Sequence, residues 1–440
     1  MAAAGRNPLL LGVVVAALVG LAIEALCFGV LRWTGEAPHS LEEVRERQRA
    51  LAEASALDPL DPAPQTNLER MMAADALHPY LGFVYDPDDW NSSEREGQHG
   101  GVPVSDFGFV DDKAPILPKS EERFVVGVFG GSVALQFGLD AVAALEAALD
   151  DSGALNGREV VVVRAALGSH KQPQQIQALA YLYALGAHFD AVINLDGFNE
   201  MALALENARK GVHPAYPRGW SLRVASVPEP GLQKLIGAKG LAEAERRAWA
   251  ERWLALPLGR SSTAALVWKF RDRALARRAA ALGLELQQFE TESSALPYAA
   301  RGPDAGLQGE EALYREVARI WAESSVQMAR LAEANGALYA HFLQPNQYVP
   351  DSKPLSEEER RSAFDPRHPY RRGVHLGYPL LREAAAQLTE EGVLFEDLSA
   401  LFAAVEATVY ADTCCHFNAT GLERLGRHVG ESLGRALDAR

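Results

Sequence analysis

The sequence predicts an α/β fold with a parallel sheet covered by helices on both faces, and two observations lead to this prediction. Compact apolar runs alternate along the chain with longer segments of helical spacing, as where RFVVGVF is followed by ALQFGLDAVAALEAALD. The runs are apolar throughout rather than at every second residue, which is typical of strands buried on both faces. A chain of 440 residues is long enough to bury a substantial core around such a sheet.

The pattern predicts five strands joined by amphipathic helices. In chain order the strands are RFVVGVF, EVVVVRAA, FDAVINL, ALYAHFLQ and VLFEDLS. The helices are ALQFGLDAVAALEAALD, QPQQIQALAYLYAL, EALYREVARIWAESSVQMARLAEAN, PLLREAAAQLTEEG and ATGLERLGRHVGESLGRALDAR, with a cap expected at Asn418 or Thr420 for the last. The alternation lapses between about residues 203 and 309, which we interpret as a large, mainly helical insertion.

An apolar stretch near the N-terminus runs from Leu9 to Leu31 and contains Glu24 as its only charged residue. As a helix it is long enough to cross the roughly 30 Å hydrocarbon layer of a bilayer. A cleaved signal peptide is the alternative, but it requires small residues at its cleavage site, where this chain has Leu26, Cys27 and Phe28. We therefore expect a single-pass transmembrane helix that acts as a signal anchor.

This interpretation divides the chain into three parts. Residues 1–33 form the membrane anchor, residues 34–77 form a stalk or linker, and residues 78–440 form the α/β domain with its insertion at about 203–309. Arginines stand on both sides of the apolar stretch, so the positive-inside rule leaves the orientation of the anchor open.

The composition argues against two classes of function. With 58 acidic and 43 basic residues the chain has a formal net charge of -15, whereas nucleic-acid binders need a net basic surface. Neither a zinc-binding cysteine spacing nor an H-E-x-x-H motif occurs, so we expect no metal and no cofactor. Because a second base to activate them is missing, we interpret the adjacent Cys414 and Cys415 as packing residues rather than nucleophiles or redox switches.

The first predicted strand ends in VFGGSVALQFG, where Ser132 stands between a strand and a helix. The glycine spacing fits neither a dinucleotide-binding loop nor a phosphate-binding P-loop. Two interpretations remain open: Ser132 caps the following helix, or it is a nucleophile at the carboxyl edge of the sheet, where the helix N-terminus favours a developing oxyanion.

A second segment, YADTCCHFNATG, places Asp412 and His416 close together before the last helix. A serine hydroxyl becomes a good nucleophile when an imidazole accepts its proton, and a carboxylate orients that imidazole. An α/β-hydrolase is one candidate fold, since residues 130–134 nearly read as the G-x-S-x-G elbow. The short spacing between Asp412 and His416 favours a different family.

The chain resembles the SGNH (GDSL-type) hydrolase family, in which four short blocks contribute Ser, Gly, Asn and His. The matching residues are Ser132 in VFGGSVA, Gly168 in RAALGSH, Asn199 in LDGFNE and His416 in the last block, each after a predicted strand or before the last helix. Two positions depart from the family. Gly131 replaces its usual Asp, and Asp412 precedes His416 by four residues instead of three.

The resemblance implies a flavodoxin-like three-layer α/β/α fold and a membrane-anchored serine esterase. Ser132 would be the nucleophile, His416 the general base and Asp412 its orienting acid. The oxyanion hole would consist of the backbone N–H groups of Ser132 and Gly168 and the side-chain amide of Asn199. It also implies an acyl-ester substrate, such as an acetylated glycan or lipid of the cell envelope, and an extracytoplasmic domain at the periplasmic side or cell surface. Two alternatives stay open: an O-acyltransferase to a glycan, and a non-catalytic envelope scaffold that keeps the fold.

Three further positions are candidates for substrate contact: Gly131 on the serine turn, His170 near Gly168, and Gln344 at the end of the fourth strand, beside His341. The alternatives are a surface or helix-start role for His170 and a simple turn after Gln344. For His428, inside the last helix, we expect a structural role.

Within the insertion, residues 246–278 hold nine Lys or Arg and two acidic residues, interleaved with tryptophans. This basic segment suits an anionic lipid or glycan, or a solvated helical lid.

Overall fold

The computed structural model describes residues 8–33, 37–53, 75–91, 98–224, 230–292, 296 and 298–439. The chain divides into two compact units, which we call the anchor unit (Met1–Ala73 and Ala225–Ala295) and the sheet unit (Ala74–Val224 and Leu296–Arg440). The strands are β1 (Asp75–His78), β2 (Gly82–Tyr85), β3 (Arg123–Gly130), β4 (Glu159–Ala166), β5 (Ala191–Asp196), β6 (Leu338–Leu343) and β7 (Leu394–Asp397).

The helices are α1 (Pro8–Trp33), α2 (Leu41–Glu53), α3 (Pro87–Trp90), α4 (Ser132–Asp140), α5 (Val142–Ser152), α6 (Gln174–Ala184), α7 (Phe198–Ala202), α8 (Ala204–Ala208), α9 (Trp220–Arg223), α10 (Pro230–Leu254), α11 (Ser262–Glu292), α12 (Tyr298–Arg301), α13 (Gly309–Ala334), α14 (Glu357–Ser362), α15 (Pro369–Glu390) and α16 (Ala419–Asp438).

The sheet unit is built on a five-stranded parallel sheet in the order β4-β3-β5-β6-β7. Counted from β3, this order is 2-1-3-4-5, one of the two common orders of doubly wound sheets. Every residue of β5 and β6 is buried. Because successive side chains of a strand point to opposite faces, helices must cover both faces of the sheet. The prediction of a parallel α/β sheet is confirmed.

Helix α16 packs closely on α5, and small residues make this approach possible. A Cβ atom on Gly426 would lie 2.6 Å from the carbonyl oxygen of Ala141, and one on Gly430 would lie 2.8 Å from that of Leu145. Asn418 caps α16, since its side chain accepts a hydrogen bond from the Gly421 N–H group at 3.1 Å. This cap fixes the start of α16 directly after His416.

Two predicted helices differ from the structure. The segment after β3 forms two helices, α4 and α5, which are bent by 66° at a break of one residue. The helix predicted to begin at Pro379 begins ten residues earlier, at Pro369, and contains Pro379 in its interior. Proline favours the first turn of a helix, and Pro369 rather than Pro379 occupies that position here.

The two compact units of the structure do not coincide with the predicted division of the chain. Helix α2 of the predicted stalk (residues 34–77) packs against α10 and α11, and these helices share a small core that includes Leu31, Val44, Leu51 and Trp268. The predicted insertion (203–309) is divided, since residues 225–295 belong to the anchor unit and its two ends to the sheet unit. The physical reason is that apolar residues far apart in sequence bury one another, which a local pattern does not reveal.

Among the described residues, α1 is the one unbroken helix apolar and long enough to cross a membrane, over Gly12–Trp33 with a mean hydropathy of 2.5. A signal sequence near the N-terminus has the same properties.

Candidate active site

Ser132 lies at the carboxyl edge of the sheet, directly after β3. Gly130 has a φ of 145°, and a Cβ atom on it would lie 2.2 Å from the carbonyl oxygen of Leu195. Only glycine allows this turn. Gly131 is the N-cap residue of α4, so Ser132 is the first helical residue and its N–H group has no intrahelical partner.

Gly131 leaves room for the side chain of Asn199. A Cβ atom at position 131 would lie 2.2 Å from Nδ2 of Asn199. The Asn199 amide therefore occupies the space that any side chain at position 131 would need. Gly131 itself adds no polar group to the site.

The three predicted triad residues come together. The Ser132 hydroxyl lies 2.8 Å from Nε2 of His416, and Nδ1 of His416 lies 2.5 Å from Oδ2 of Asp412. Because a carboxylate only accepts hydrogen bonds, Nδ1–H donates to Asp412, and Nε2 is free to accept from the serine. This is the arrangement that nucleophilic catalysis by serine requires.

The unusual four-residue spacing is explained by a loop that wraps around the Asp412 carboxylate. Its Oδ1 atom accepts hydrogen bonds from the backbone N–H groups of Cys414 at 2.9 Å, Cys415 at 3.1 Å and His416 at 3.3 Å. The second oxygen, Oδ2, faces the imidazole of His416. The loop thus brings a carboxylate four residues away into contact with the ring.

Three polar residues that follow β6 form hydrogen bonds to the backbone of this loop. Sequence analysis did not identify them. The side chains of Asn346, Gln347 and Tyr348 donate hydrogen bonds to the carbonyl oxygens of loop residues 412–414, at 3.2, 2.9 and 2.7 Å. The run QPNQY after the fourth strand is the sequence signal that could have suggested polar contacts here.

The environment shifts the pKa values of both partners of the imidazole–carboxylate pair. Burial favours the neutral carboxyl group, but hydrogen bonds from His416 and the backbone outweigh it and lower the pKa of Asp412 to about 2. For His416, burial favours the neutral ring, but the hydrogen bond and negative charge of Asp412 raise its pKa above the usual value. The imidazole is therefore a stronger base than in water.

The predicted oxyanion-hole donors differ in whether their N–H groups already donate a hydrogen bond within the protein. The Asn199 amide donates one hydrogen bond to the carbonyl oxygen of His170 at 2.8 Å and has a second N–H group beside the serine turn. The Gly168 N–H group donates to the hydroxyl of Tyr85 at 3.2 Å. Burial raises the pKa of Tyr85 to about 12, so the phenol stays protonated. Sequence analysis missed Tyr85, which lies 83 residues before Gly168.

Two of the candidate substrate-contact residues, His170 and Gln344, are buried but differ in their hydrogen bonding. The His170 side chain is buried and its Nε2 atom lies 3.1 Å from the carbonyl oxygen of Phe83, so its ring is neither at the surface nor open to substrate. Burial also lowers the pKa of His170 to about 4. Gln344 is buried too, and its Nε2 atom has no hydrogen-bond partner among the described residues. Gln344 therefore keeps an unused donor.

His341 and His428 have structural partners. His341 is fully buried, with Nε2 at 2.8 Å from Asp196 and Nδ1 at 2.7 Å from Ser325. His428 lies 2.8 Å from Glu396. The His341 side chain is therefore enclosed by the protein, and the structural role expected for His428 agrees with its contact to Glu396.

A buried polar network supports the turn that carries Asn199, and sequence analysis missed it. Asp196 accepts hydrogen bonds from Trp321 at 2.6 Å and Asn194 at 2.8 Å, in addition to its contact with His341. The Glu200 carboxyl group accepts from the N–H groups of Gln172 at 2.8 Å and Gly197 at 2.9 Å. Glu200 thereby connects the loop after β4, which contains Gly168, with the turn after β5.

Arg218, from the predicted insertion, also belongs to this region. Its guanidinium forms a bidentate pair with Glu206 at 2.7 and 2.8 Å and donates to the hydroxyls of Ser169 and Tyr370, both at 3.0 Å. Its planar fork of N–H donors suits such simultaneous contacts. Arg218 fixes Ser169, the neighbour of Gly168, relative to α8 and α15.

Cys414 and Cys415 directly precede His416 in the loop. Their sulfur atoms lie 3.3 Å apart, and the Cys415 thiol contacts the Ser132 side chain. The hydrogen bond from Cys415 and the positive charge of His416 lower the pKa of Cys414, whereas burial raises the pKa of Cys415. The thiols and a nitrogen of His416 lie within 4.8 Å of one another, but a metal ion bound there would have to displace Ser132 or Asp412 from the imidazole.

The chain matches no protein-family model and no curated protein. The resemblance to SGNH hydrolases therefore depends on the four sequence blocks and on the geometry described above.

Proposed function

We propose that this protein is a serine esterase of the SGNH type, which hydrolyses an acyl ester through an acyl-enzyme on Ser132. The observation that carries the proposal is the continuous hydrogen-bonded chain from the Ser132 hydroxyl through His416 to Asp412. The start of α4, which is largely buried, favours an oxyanion, and the raised pKa of His416 favours removal of the serine proton. Both support attack by Ser132 on an ester.

In the first half of the reaction, Ser132 Oγ attacks the ester carbonyl carbon while Nε2 of His416 takes the hydroxyl proton. The carbonyl oxygen becomes an oxyanion next to the N–H groups of Ser132 and Asn199, and donors of this kind contribute about 3 kcal/mol each. The tetrahedral intermediate collapses, the alcohol leaves with the proton from His416, and an acyl-enzyme remains.

In the second half, a water molecule attacks the acyl-enzyme while His416 accepts its proton. Collapse of the second intermediate releases the carboxylic acid and returns the proton to Ser132. If a sugar hydroxyl replaces water in this step, the same site is an O-acyltransferase.

We further propose that α1 anchors the protein in a membrane and that the sheet unit acts on an envelope glycan or lipid. The apolar helix near the N-terminus supports the anchor. The substrate class is suggested by the resemblance alone.

Labelling of the full-length protein with a fluorophosphonate probe tests the proposal. Wild type and the control Ser362→Ala, which changes an exposed serine, should label equally, and Ser132→Ala should not label. A folded wild-type protein that does not label would refute the esterase and leave the scaffold. Incubation with an acetyl ester and a glycan acceptor, followed by measurement of free acetate and acetylated glycan, separates hydrolysis from transfer.

A further inference from the structure

Helix α1 changes its surroundings at Glu24. Every side chain from Gly12 to Ile23 is exposed. From Glu24 onward one face is covered, and Cys27, Val30 and Leu31 pack into the core that α1 shares with α2, α10 and α11. The exposed part suits lipid, whereas the remainder is a member of a helical bundle.

Glu24 pairs with the start of α11. Its carboxylate accepts hydrogen bonds from the Ser261 hydroxyl at 2.5 Å and from the N–H groups of Ser262 at 2.7 Å and Thr263 at 3.4 Å. The first N–H groups of a helix have no intrahelical partner and carry partial positive charge. The single acidic residue of the apolar stretch is thus matched by a helix N-terminus, as a carboxylate near hydrocarbon requires.

The length of α1 places this contact at the edge of the hydrocarbon layer. A helix needs about 20 residues to cross roughly 30 Å. The segment from Pro8 to Ile23 supplies sixteen residues, or about 24 Å. If the hydrocarbon begins near Pro8, it continues about 6 Å beyond Ile23, and Glu24 with its partners on α11 lies within that distance.

The helices α10 and α11 are joined by a short connection. We call this connection and the adjoining helix ends, residues 254–263, the hairpin tip. Its surface suits the depth at which Glu24 lies. Leu256 and Leu258 are 43% and 40% exposed. On the adjoining turns of α11, Val267 and Phe270 are 51% and 54% exposed. Exposed apolar side chains that are grouped on one short stretch of chain, rather than scattered singly, mark a site of membrane or protein contact.

The charges around the hairpin tip have one sign. From Arg252 to Arg271 the sequence contains four basic residues and no acidic one, although the whole chain is acidic. Arg252, Arg260 and Arg271 are exposed. Basic side chains beside an apolar surface favour the headgroup region of an anionic bilayer.

We propose that the hairpin tip inserts into the interface of an anionic lipid bilayer beside α1, so that the protein is held by a spanning helix and an interfacial hairpin together. This inference depends on α1 as a membrane anchor and is independent of the esterase chemistry. A glycan-binding or fully solvated hairpin is the alternative.

The test uses the full-length protein in bilayers of phosphatidylcholine and phosphatidylglycerol, part of the phosphatidylglycerol carrying a photoreactive diazirine on its acyl chain. After irradiation, mass spectrometry should find lipid adducts on α1 and on the hairpin tip. Leu241 and Leu284, which are 56% and 61% exposed and lie away from the tip on α10 and α11, should remain free of adducts. Adducts on α1 without any on the tip would overturn the proposal, and adducts on neither would refute the anchor.

Two double variants check the contact between the hairpin tip and lipid. Leu256→Asp with Leu258→Asp should lower the yield of tip adducts roughly tenfold or more, because lipid excludes carboxylates. Leu241→Asp with Leu284→Asp should leave the yield unchanged. Equal yields for both pairs would overturn the inference, and fluorophosphonate labelling of each variant reports separately on the proposed esterase site.

Discussion

Nδ1 of His416 lies 2.5 Å from Oδ2 of Asp412, only four residues earlier in the chain. The imidazole and the carboxylate therefore come from one short loop, and Ser132 meets that loop from the end of the first parallel strand.

Asp412→Asn should lower kcat by about 10⁴, because an amide at this position favours the wrong tautomer of His416. The pH profile of kcat/KM on an acyl ester gives a second readout. In wild type the activity should fall as the pH drops through a pKa above the usual value of about 6.5, since His416 must be neutral and Asp412 raises its pKa. In the variant this limb should move to lower pH. Asp140→Asn, an exposed control, should match wild type in both respects.

Gly131→Ala should reduce kcat by about 10² to 10³, because the new Cβ atom displaces the Asn199 amide from the oxyanion position. Asn199→Ala should have a similar effect, and the double variant should be little worse than either single one. Gly237→Ala is the control, since a Cβ atom there meets nothing within 4 Å. Fully additive losses would show that Gly131 acts by another route.

Tyr85→Phe should keep or raise kcat, because it frees the Gly168 N–H group to donate to an oxyanion. The unfolding free energy should fall by about 1 kcal/mol, since a buried hydrogen bond is lost. Steady-state kinetics and thermal unfolding measure the two effects. A loss of kcat beyond tenfold in a folded variant would instead assign the oxyanion contact to the Tyr85 hydroxyl.

Iodoacetamide should modify Cys414 before Cys415, because the lower pKa and partial exposure of Cys414 favour its thiolate. The added group lies next to His416 and should block fluorophosphonate labelling of Ser132. Mass spectrometry identifies the modified residue. Cys414→Ser should label normally and resist this inactivation, and preferential alkylation of the buried Cys415 would contradict the prediction.

The strands could be predicted because each is a short apolar run buried on both faces. The run EVVVVRAA coincides with β4, and RFVVGVF differs from β3 by one residue. Ser132, Asn199 and His416 could be named as candidate site residues because motifs at strand and helix ends carry a local signal. The carboxylate–histidine contact was a prediction from proximity alone, and the wrapped loop gives its geometry.

Residues that act through distant contacts left no such signal. Tyr85 meets Gly168 across 83 residues, and Arg218 meets Tyr370 across 152. The bundle formed by α2, α10 and α11 escaped prediction because α2 pairs with helices about 200 residues away. The charged sequence of α2 is typical of a solvated stalk. The burial of Val44 on α2 and Trp268 on α11 in one core shows that α2 is part of a bundle.

The wrapped loop also sets which substitutions the site tolerates. The Asp412 carboxylate accepts hydrogen bonds from the main-chain N–H groups of residues 414–416. The main-chain carbonyl groups of residues 412–414 accept hydrogen bonds from the side chains of Asn346, Gln347 and Tyr348. The backbone path of the loop therefore depends little on the side chains of Thr413 and Cys414, whereas the Cys415 side chain is buried in the core. Proline is the exception at positions 414 and 415, because it lacks the N–H group that the carboxylate needs. A library randomised at Thr413, and at Cys414 and Cys415 among small side chains, should retain active members while losing those prolines, because Cys415 is buried beside Ser132 and Cys414 lies next to His416.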